Sequence, residues 1–459
     1  MKRKNICFTR ASGCLLGGAV LAVSGQAAAA ACPTGANTVF MSGSSAFIPV
    51  VQAVANVLGA AVNIVYQKPG SCEGLAYVLG NAGTAIAPDT DGALSIAPNG
   101  ASGGVTCTLP TITVGATTET GTLIDIAASD VYASTCQASF SNNALNAVGS
   151  TTKTAEYLGP IQAMTFAAPT AASTTCPLPG VISAEAAYIV FGFGAAASPT
   201  PVAPWTNTSD IFVRFWDSGT LEMIATAINL PGGLWANATT PVATMNPQQA
   251  TSTGNMQTKL AAAAAKSTGD SCATIGILGS ANYVSGLSPL AFQAKGQECG
   301  YLPDSAPGAG DKINVRQGRY AIWGPEHLIV NVDASGNPLG VNSNTAAVNL
   351  VLNALVATSK APVAASGDGG LDDADEAALI TAISAPATGV IPQCAMEVSR
   401  TTEIGPEASY APPAACSCAF EQAAGTLVAG HTCTACTGTG AGVCTGSTPA
   451  CHFGYCEAE

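Results

Sequence analysis

The chain has 459 residues, a net charge of −13 and only 9% charged residues, against roughly a quarter in an ordinary soluble domain. The acidic balance argues against a nucleic-acid binder, which needs cations for phosphate contacts, and 48% hydrophobic residues argue against a chain too polar to fold. Three histidines leave little for an enzyme built on a histidine cluster, and sparse charge with 17 cysteines points away from the reducing cytoplasm.

In chain order, the first element is a leader over residues 1–31. Lys2, Arg3, Lys4 and Arg10 precede an apolar stretch at 14–24 and a run of small residues at 25–31, the pattern of a secretory signal. Its apolar part is too short to cross a bilayer, and no membrane span is expected in the mature chain. Cleavage near Ala31 takes the net charge from −13 to −17. It also removes Cys7 and Cys14, so an odd fifteen cysteines remain and one must be free, shared between chains or modified. Cys32 stands where a lipid-modified residue would stand, although Ala29, Ala30 and Ala31 lack the large aliphatic side chain such a site uses.

A strand is expected at 37–41, a turn at Ser42–Ser45, and a helix at 46–59 that places Val50, Val51, Val54 and Leu58 on one face. A second strand follows at 62–66. Further along come a helix after Ser218–Thr220, an alanine-rich helix near 257–266 and a strand at 273–278. Strands around 320–334 and helices near 344–359 and 371–384 complete the body. Alternating strands and helices predict an α/β fold with parallel or mixed sheets. The length allows two lobes: lobe one from 32–160 (with an insertion at 81–121) and 310–392, lobe two from 161–309. The last stretch, 393–459, holds eight cysteines and few large apolar residues, so it relies on disulfides. Cys433 and Cys436, with His431 and His452, have zinc-like spacing, but an oxidising compartment favours disulfides over metal.

Four segments put small hydroxyl residues and glycine where a strand gives way to a helix: SGSSAF (42–47), PGSCEG (69–74), AASDVY (127–132) and RFWDSGT (214–220). A helix N-terminus offers unpaired N–H groups and a partial positive charge, and serine or threonine adds donors. Taken singly, each serine or aspartate reads as a helix cap. Several such ends aimed at one point would form an anion site.

Their order and spacing resemble the phosphate-binding proteins of bacterial ABC importers, two-lobed periplasmic solute-binding proteins. That family opens with a Gly/Ser/Thr-rich turn into a helix, like 42–47. It continues with Tyr-Gln-x-x-Gly-Ser-x-x-Gly, like YQKPGSCEG at 66–74, and with a segment similar to DIAASD at 125–130. An Arg-x-x-x-Ser-Gly-Thr segment follows, matched by Arg214 and Ser218-Gly219-Thr220. The resemblance covers roughly 37–360 and implies a two-lobed periplasmic-binding-protein fold. It implies hydroxyl donors to a bound oxyanion from Ser71, Ser218 and Thr220, backbone N–H donors from Gly219 and Phe47, and a bidentate grip by Arg214. Asp130 would accept the proton of a monohydrogen oxyanion, which separates phosphate from sulfate.

The chain also departs from the family pattern. Ala46 stands at the usual threonine, leaving Ser44 or Ser45 as donor, and Trp216 stands at a usual aspartate with Asp217 beside it. The insertion and the cysteine-rich tail have no family counterpart. The resemblance implies a non-enzymatic role, no cofactor, no metal and an ABC permease as partner. An extracellular or surface structural protein reusing this fold is the alternative that the tail favours. His327 in GPEHLIV reads as an ordinary exposed or strand-end histidine. The acids of 367–376 miss calcium-loop spacing and read as a solvated helix start. No Gly-x-Ser-x-Gly elbow supports a serine hydrolase.

Overall fold

The computed structural model describes residues 29–79, 85–100, 103–137, 154–170, 180–193, 202–235, 248–265, 272–342, 344–357, 371, 373–428, 431–437, 444 and 450–457. The leader, apart from its last residues, therefore lies outside the described residues.

The fold is mixed α/β, with parallel and antiparallel strand pairs. The strand Thr38–Gly43 runs into the helix Ile48–Leu58 and back into the strand Asn63–Gln67, which pairs with the first in parallel, Thr38 opposite Asn63. A third parallel neighbour, Ile126–Ser129, lies on the other side of Thr38–Gly43. Residues 93–96 and 105–108 of the expected insertion extend the sheet in antiparallel fashion beyond Asn63–Gln67. On the opposite side Ile126–Ser129 pairs antiparallel with Trp323–Asn331.

Among the described residues the longest strand is Thr154–Pro169, 16 residues, an element not expected from the sequence. The structure absorbs Gly159-Pro160 as a register shift between Leu158 and Ile161. The first half of the strand pairs with Trp323–Asn331. Its second half pairs with Gly276–Gly279 and Leu287–Pro289. One strand thus belongs to two sheet regions.

Successive strand residues face opposite sides, so Val39 and Met41 point one way and Phe40 the other. Val39, Met41, Ile64, Tyr66, Leu328 and Val330 pack under the helices Ile48–Leu58, Thr345–Val356 and Asp373–Ile383 as one core. Phe40, Val65 and Ile329 join a second core that runs through Phe166, Phe191, Trp205 and Ile277 to Phe420 near the C-terminus. Each wholly buried side chain of this size contributes about 1.5–3 kcal/mol.

All eight cysteines after residue 393 pair with one another, as Cys394–Cys416, Cys418–Cys433, Cys436–Cys451 and Cys444–Cys456. The Cys433/Cys436 pair therefore holds two disulfides, not a metal. In the body Cys32 bonds Cys107, Cys72 bonds Cys136, and Cys272 is disulfide-bonded as well. A sulfur engaged with Cys107 cannot carry a lipid. Cys299 is exposed and free, the unpaired thiol that the odd count requires. Among the described residues no helix is long and apolar enough to cross a membrane.

Candidate functional site

The four hydroxyl- and glycine-rich segments meet in space. Gly43, at φ 144°, ends the first strand where a Cβ would collide with the Ala128 carbonyl; only glycine lets the two strand ends approach so closely. The turn that follows presents Ser44 and Ser45. Ser44 Oγ accepts from the Ala46 N–H at 3.1 Å, and its carbonyl accepts from Tyr66 Oη at 2.7 Å and from the Phe47 N–H at 3.3 Å. The Phe47 N–H expected at the ligand is thus engaged within the turn.

Ser71 opens the helix Ser71–Leu79, and its Oγ donates to Asp130 Oδ2 at 3.1 Å. Gly219 opens the helix Gly219–Ala227 directly against both: a Cβ there would lie 2.5 Å from Ser71 Oγ and 2.8 Å from Asp130 Oδ2. Ser218 is the cap residue, yet its side chain makes no hydrogen bond into the helix it precedes. The two turns are also joined through backbone, since the Cys72 N–H donates to the Asp217 carbonyl at 3.0 Å. Ser71, Ser218 and Thr220 are all buried.

Arg214 is 3% exposed. Its Nη2 donates to Ser45 Oγ at 3.4 Å and its Nη1 to Thr253 Oγ1 at 3.3 Å, while Nε has no protein partner among the described residues. Burial lowers its pKa to about 10, opposed by the charges of Asp130 and Asp217, so the guanidinium stays charged at neutral pH. Asp217 therefore stands as the acid beside the arginine. Burial and then Glu73 push its carboxyl well above the ordinary carboxylate range. Burial likewise raises Asp130, against the hydrogen bonds of Ser44, Ser71 and Glu326 and the charge of Arg214.

All nine residues expected from the sequence, Ser44, Ser45, Phe47, Ser71, Asp130, Arg214, Ser218, Gly219 and Thr220, thus lie in this one region. Sequence reasoning missed Thr253. The parallel pairing of Val213-Arg214 with Gln249-Ala250 sets two strand ends side by side, each leading into a helix. The second helix, Thr253–Ala264, begins earlier than its alanine run suggested, and Ser252 caps it by accepting from the Asn255 N–H at 3.2 Å. Ser252, a residue type that caps helices, was the available signal. Sequence reasoning also set His327 and Glu326 aside. His327 is not exposed or at a strand end: it lies mid-strand, 1% exposed, with Nδ1 2.7 Å from Glu156 Oε1. Glu326 is wholly buried next to Asp130. In the acidic run, a helix starts at Asp373, while 367–370 lie outside the described residues.

Three hydroxyls, one guanidinium and two helix starts around a carboxylate can hold a compact oxyanion by charge-assisted hydrogen bonds. Several solved structures are similar to this chain. One is a DING protein, 13% identical over 77% of this chain and 90% of that chain, at a TM-score of 0.41. Another is a phosphate binding protein from Stenotrophomonas maltophilia, 15% identical over 77% and 90%, at 0.39. A third is an ABC-type phosphate transport receptor from Vibrio cholerae, 12% identical over 64% and 88%, at 0.35. No protein-family model and no curated protein matches the sequence.

Proposed function

We propose that this protein is a secreted solute-binding protein that takes up an inorganic oxyanion, phosphate, between two lobes and delivers it to an ABC permease. The lobes are residues 32–160 with 310–392, and 161–309, and hinge closure around the ligand excludes water without chemistry. The observation that carries the reading is the contact of Gly219 with the Ser71–Asp130 pair. It sets a helix start, a hydroxyl donor and a carboxylate acceptor within one ligand's reach. Anchored beside them, Arg214 supplies the positive charge, with Ser45 and Thr253 holding its Nη atoms. Ser218 and Thr220 add hydroxyls from the same helix start. Asp130 accepts the P–OH of phosphate, which sulfate lacks. Secretion follows from the leader and from the disulfide count.

Isothermal titration of the mature protein with phosphate and with sulfate tests this. Phosphate binding with much weaker sulfate binding is expected. Equal affinities, or no phosphate binding at millimolar concentration, would sink it. Arg214→Ala is expected to weaken binding by at least about a hundredfold, the loss of about 3 kcal/mol when one partner of a buried charged contact is removed.

A further inference from the structure

A second carboxyl group stands behind Asp130. The pairing of His327 with Ser129 between antiparallel strands places Glu326 beside Asp130. Each carboxyl has one oxygen with a donor at hydrogen-bonding distance, Ser71 Oγ on Asp130 Oδ2 at 3.1 Å and Gln162 Nε2 on Glu326 Oε2 at 3.0 Å, and Ser44 also favours the charge of Asp130. The other two oxygens, Asp130 Oδ1 and Glu326 Oε1, are buried and receive no N–H or hydroxyl hydrogen bond from the described residues. The two carboxyls act on each other's titration, Glu326 lowering Asp130 and Asp130 raising Glu326, and each keeps one buried oxygen unpartnered among the described residues. Two ionised carboxylates have no hydrogen to share, so a contact of this kind requires one proton between them.

We infer that Glu326 is a specificity-determining residue of this site: it is the neutral acid that donates to Asp130 Oδ1 and so fixes Asp130 as the ionised acceptor for a hydroxyl of the bound oxyanion. The inference rests on the function proposed above and deepens it. Which partner keeps the proton follows from the surroundings. Asp130 receives Ser71 and lies near Arg214, both of which favour its charge. Glu326 has only Gln162 as donor, and burial followed by the charge of Asp130 pushes its carboxyl well above the ordinary range. From the strand Asn63–Gln67 the group facing it is Tyr66, whose hydroxyl already donates to the Ser44 carbonyl. From Thr154–Pro169, apart from Gln162, it meets Gly159. On its own strand His327 points to the other face, toward Glu156 and Tyr132, with Glu403 beyond.

The sign of the pH effect follows. While Glu326 keeps its proton, the pair carries one negative charge. As pH rises through the raised Glu326 pKa the pair carries two, and an incoming anion is repelled.

The test compares wild type, Glu326→Gln and Glu326→Leu by isothermal titration with inorganic phosphate between about pH 6 and pH 10. Glutamine can donate to Asp130 and accept from Gln162 at once, so Glu326→Gln is expected to bind within about threefold of wild type near neutrality. Glu326→Leu, which removes the donor, is expected to bind about tenfold to a hundredfold more weakly. The ratio of wild-type to Glu326→Gln affinity is expected to fall with rising pH, the ionisation of phosphate itself cancelling in the ratio. A ratio that stays constant, or full affinity in Glu326→Leu, would overturn the inference. Infrared spectra of the ligand-free proteins separate it from the proposed function. A protonated-carboxyl C=O band at neutral pH that disappears in Glu326→Gln supports the neutral acid even if phosphate fails to bind; its absence in wild type refutes it.

Discussion

Arg316 and Glu421 form an ion pair at 2.8 Å in which neither side chain is exposed. The Arg316 Nε also donates to the Ala395 carbonyl at 2.8 Å, and its guanidinium lies over the Phe420 ring at 5.2 Å from the centroid. Glu421 Oε2 accepts from the Val428 N–H at 3.1 Å. The four disulfides after residue 393 link that region only to itself. Among the contacts that tie it to the body are this pair, the packing of Met396 and Phe420 into the second core, and Arg400, which stacks on Trp323 at 3.7 Å and donates to the Trp323 carbonyl.

Removing one partner of a buried pair leaves the other charge uncompensated. Glu421→Ala is therefore expected to cost about 3–5 kcal/mol of stability. Glu421→Gln, which keeps the shape and one acceptor, should cost less. Urea denaturation measures both; an unchanged midpoint for Glu421→Ala would mean that this ion pair adds nothing to stability.

A methyl group at residue 219 would occupy the space between Ser71 Oγ and Asp130 Oδ2. Gly219→Ala is thus expected to weaken phosphate binding by about a hundredfold, because the donor–acceptor geometry is displaced. The stability loss from overpacking should stay within about 1–3 kcal/mol. Titration calorimetry beside thermal denaturation separates the two effects. Wild-type affinity in a folded Gly219→Ala protein would move the ligand away from this helix start.

Asp130→Asn replaces an acceptor-only carboxylate with a group that also donates. Phosphate affinity is expected to fall by about tenfold or more, while sulfate affinity rises, because the repulsion that excludes a proton-free dianion is gone. Competition between the two anions reads this directly. A phosphate-to-sulfate ratio equal to that of wild type would show that Asp130 does not discriminate.

The opening strand–helix–strand unit was legible because Val50, Val51 and Val54 recur at helical spacing between two short apolar runs, and all three are buried. The helices Thr345–Val356 and Asp373–Ile383 fall within the ranges expected near 344–359 and 371–384. Arg214, Ser218, Gly219 and Thr220 could be picked out because their spacing is a chemical pattern in one continuous segment. Thr253 and Glu326 could not: one reaches Arg214 through a parallel strand pair, the other reaches Asp130 through an antiparallel one, and neither pairing leaves a local mark.

By itself, then, the sequence determined the local elements, the hydroxyl- and glycine-rich helix starts, and an odd thiol among mature cysteines. It could not determine the partners of buried polar atoms, because these are set by which strand ends adjoin. Only the tertiary structure decided that Cys32 bonds Cys107, that Phe420 and Glu421 enter the body, and that the carboxyls of Asp130 and Glu326 meet. The physical reason is the same in each case: hydrogen bonds, ion pairs and disulfides act over a few ångströms, and chain folding alone brings distant residues within that range.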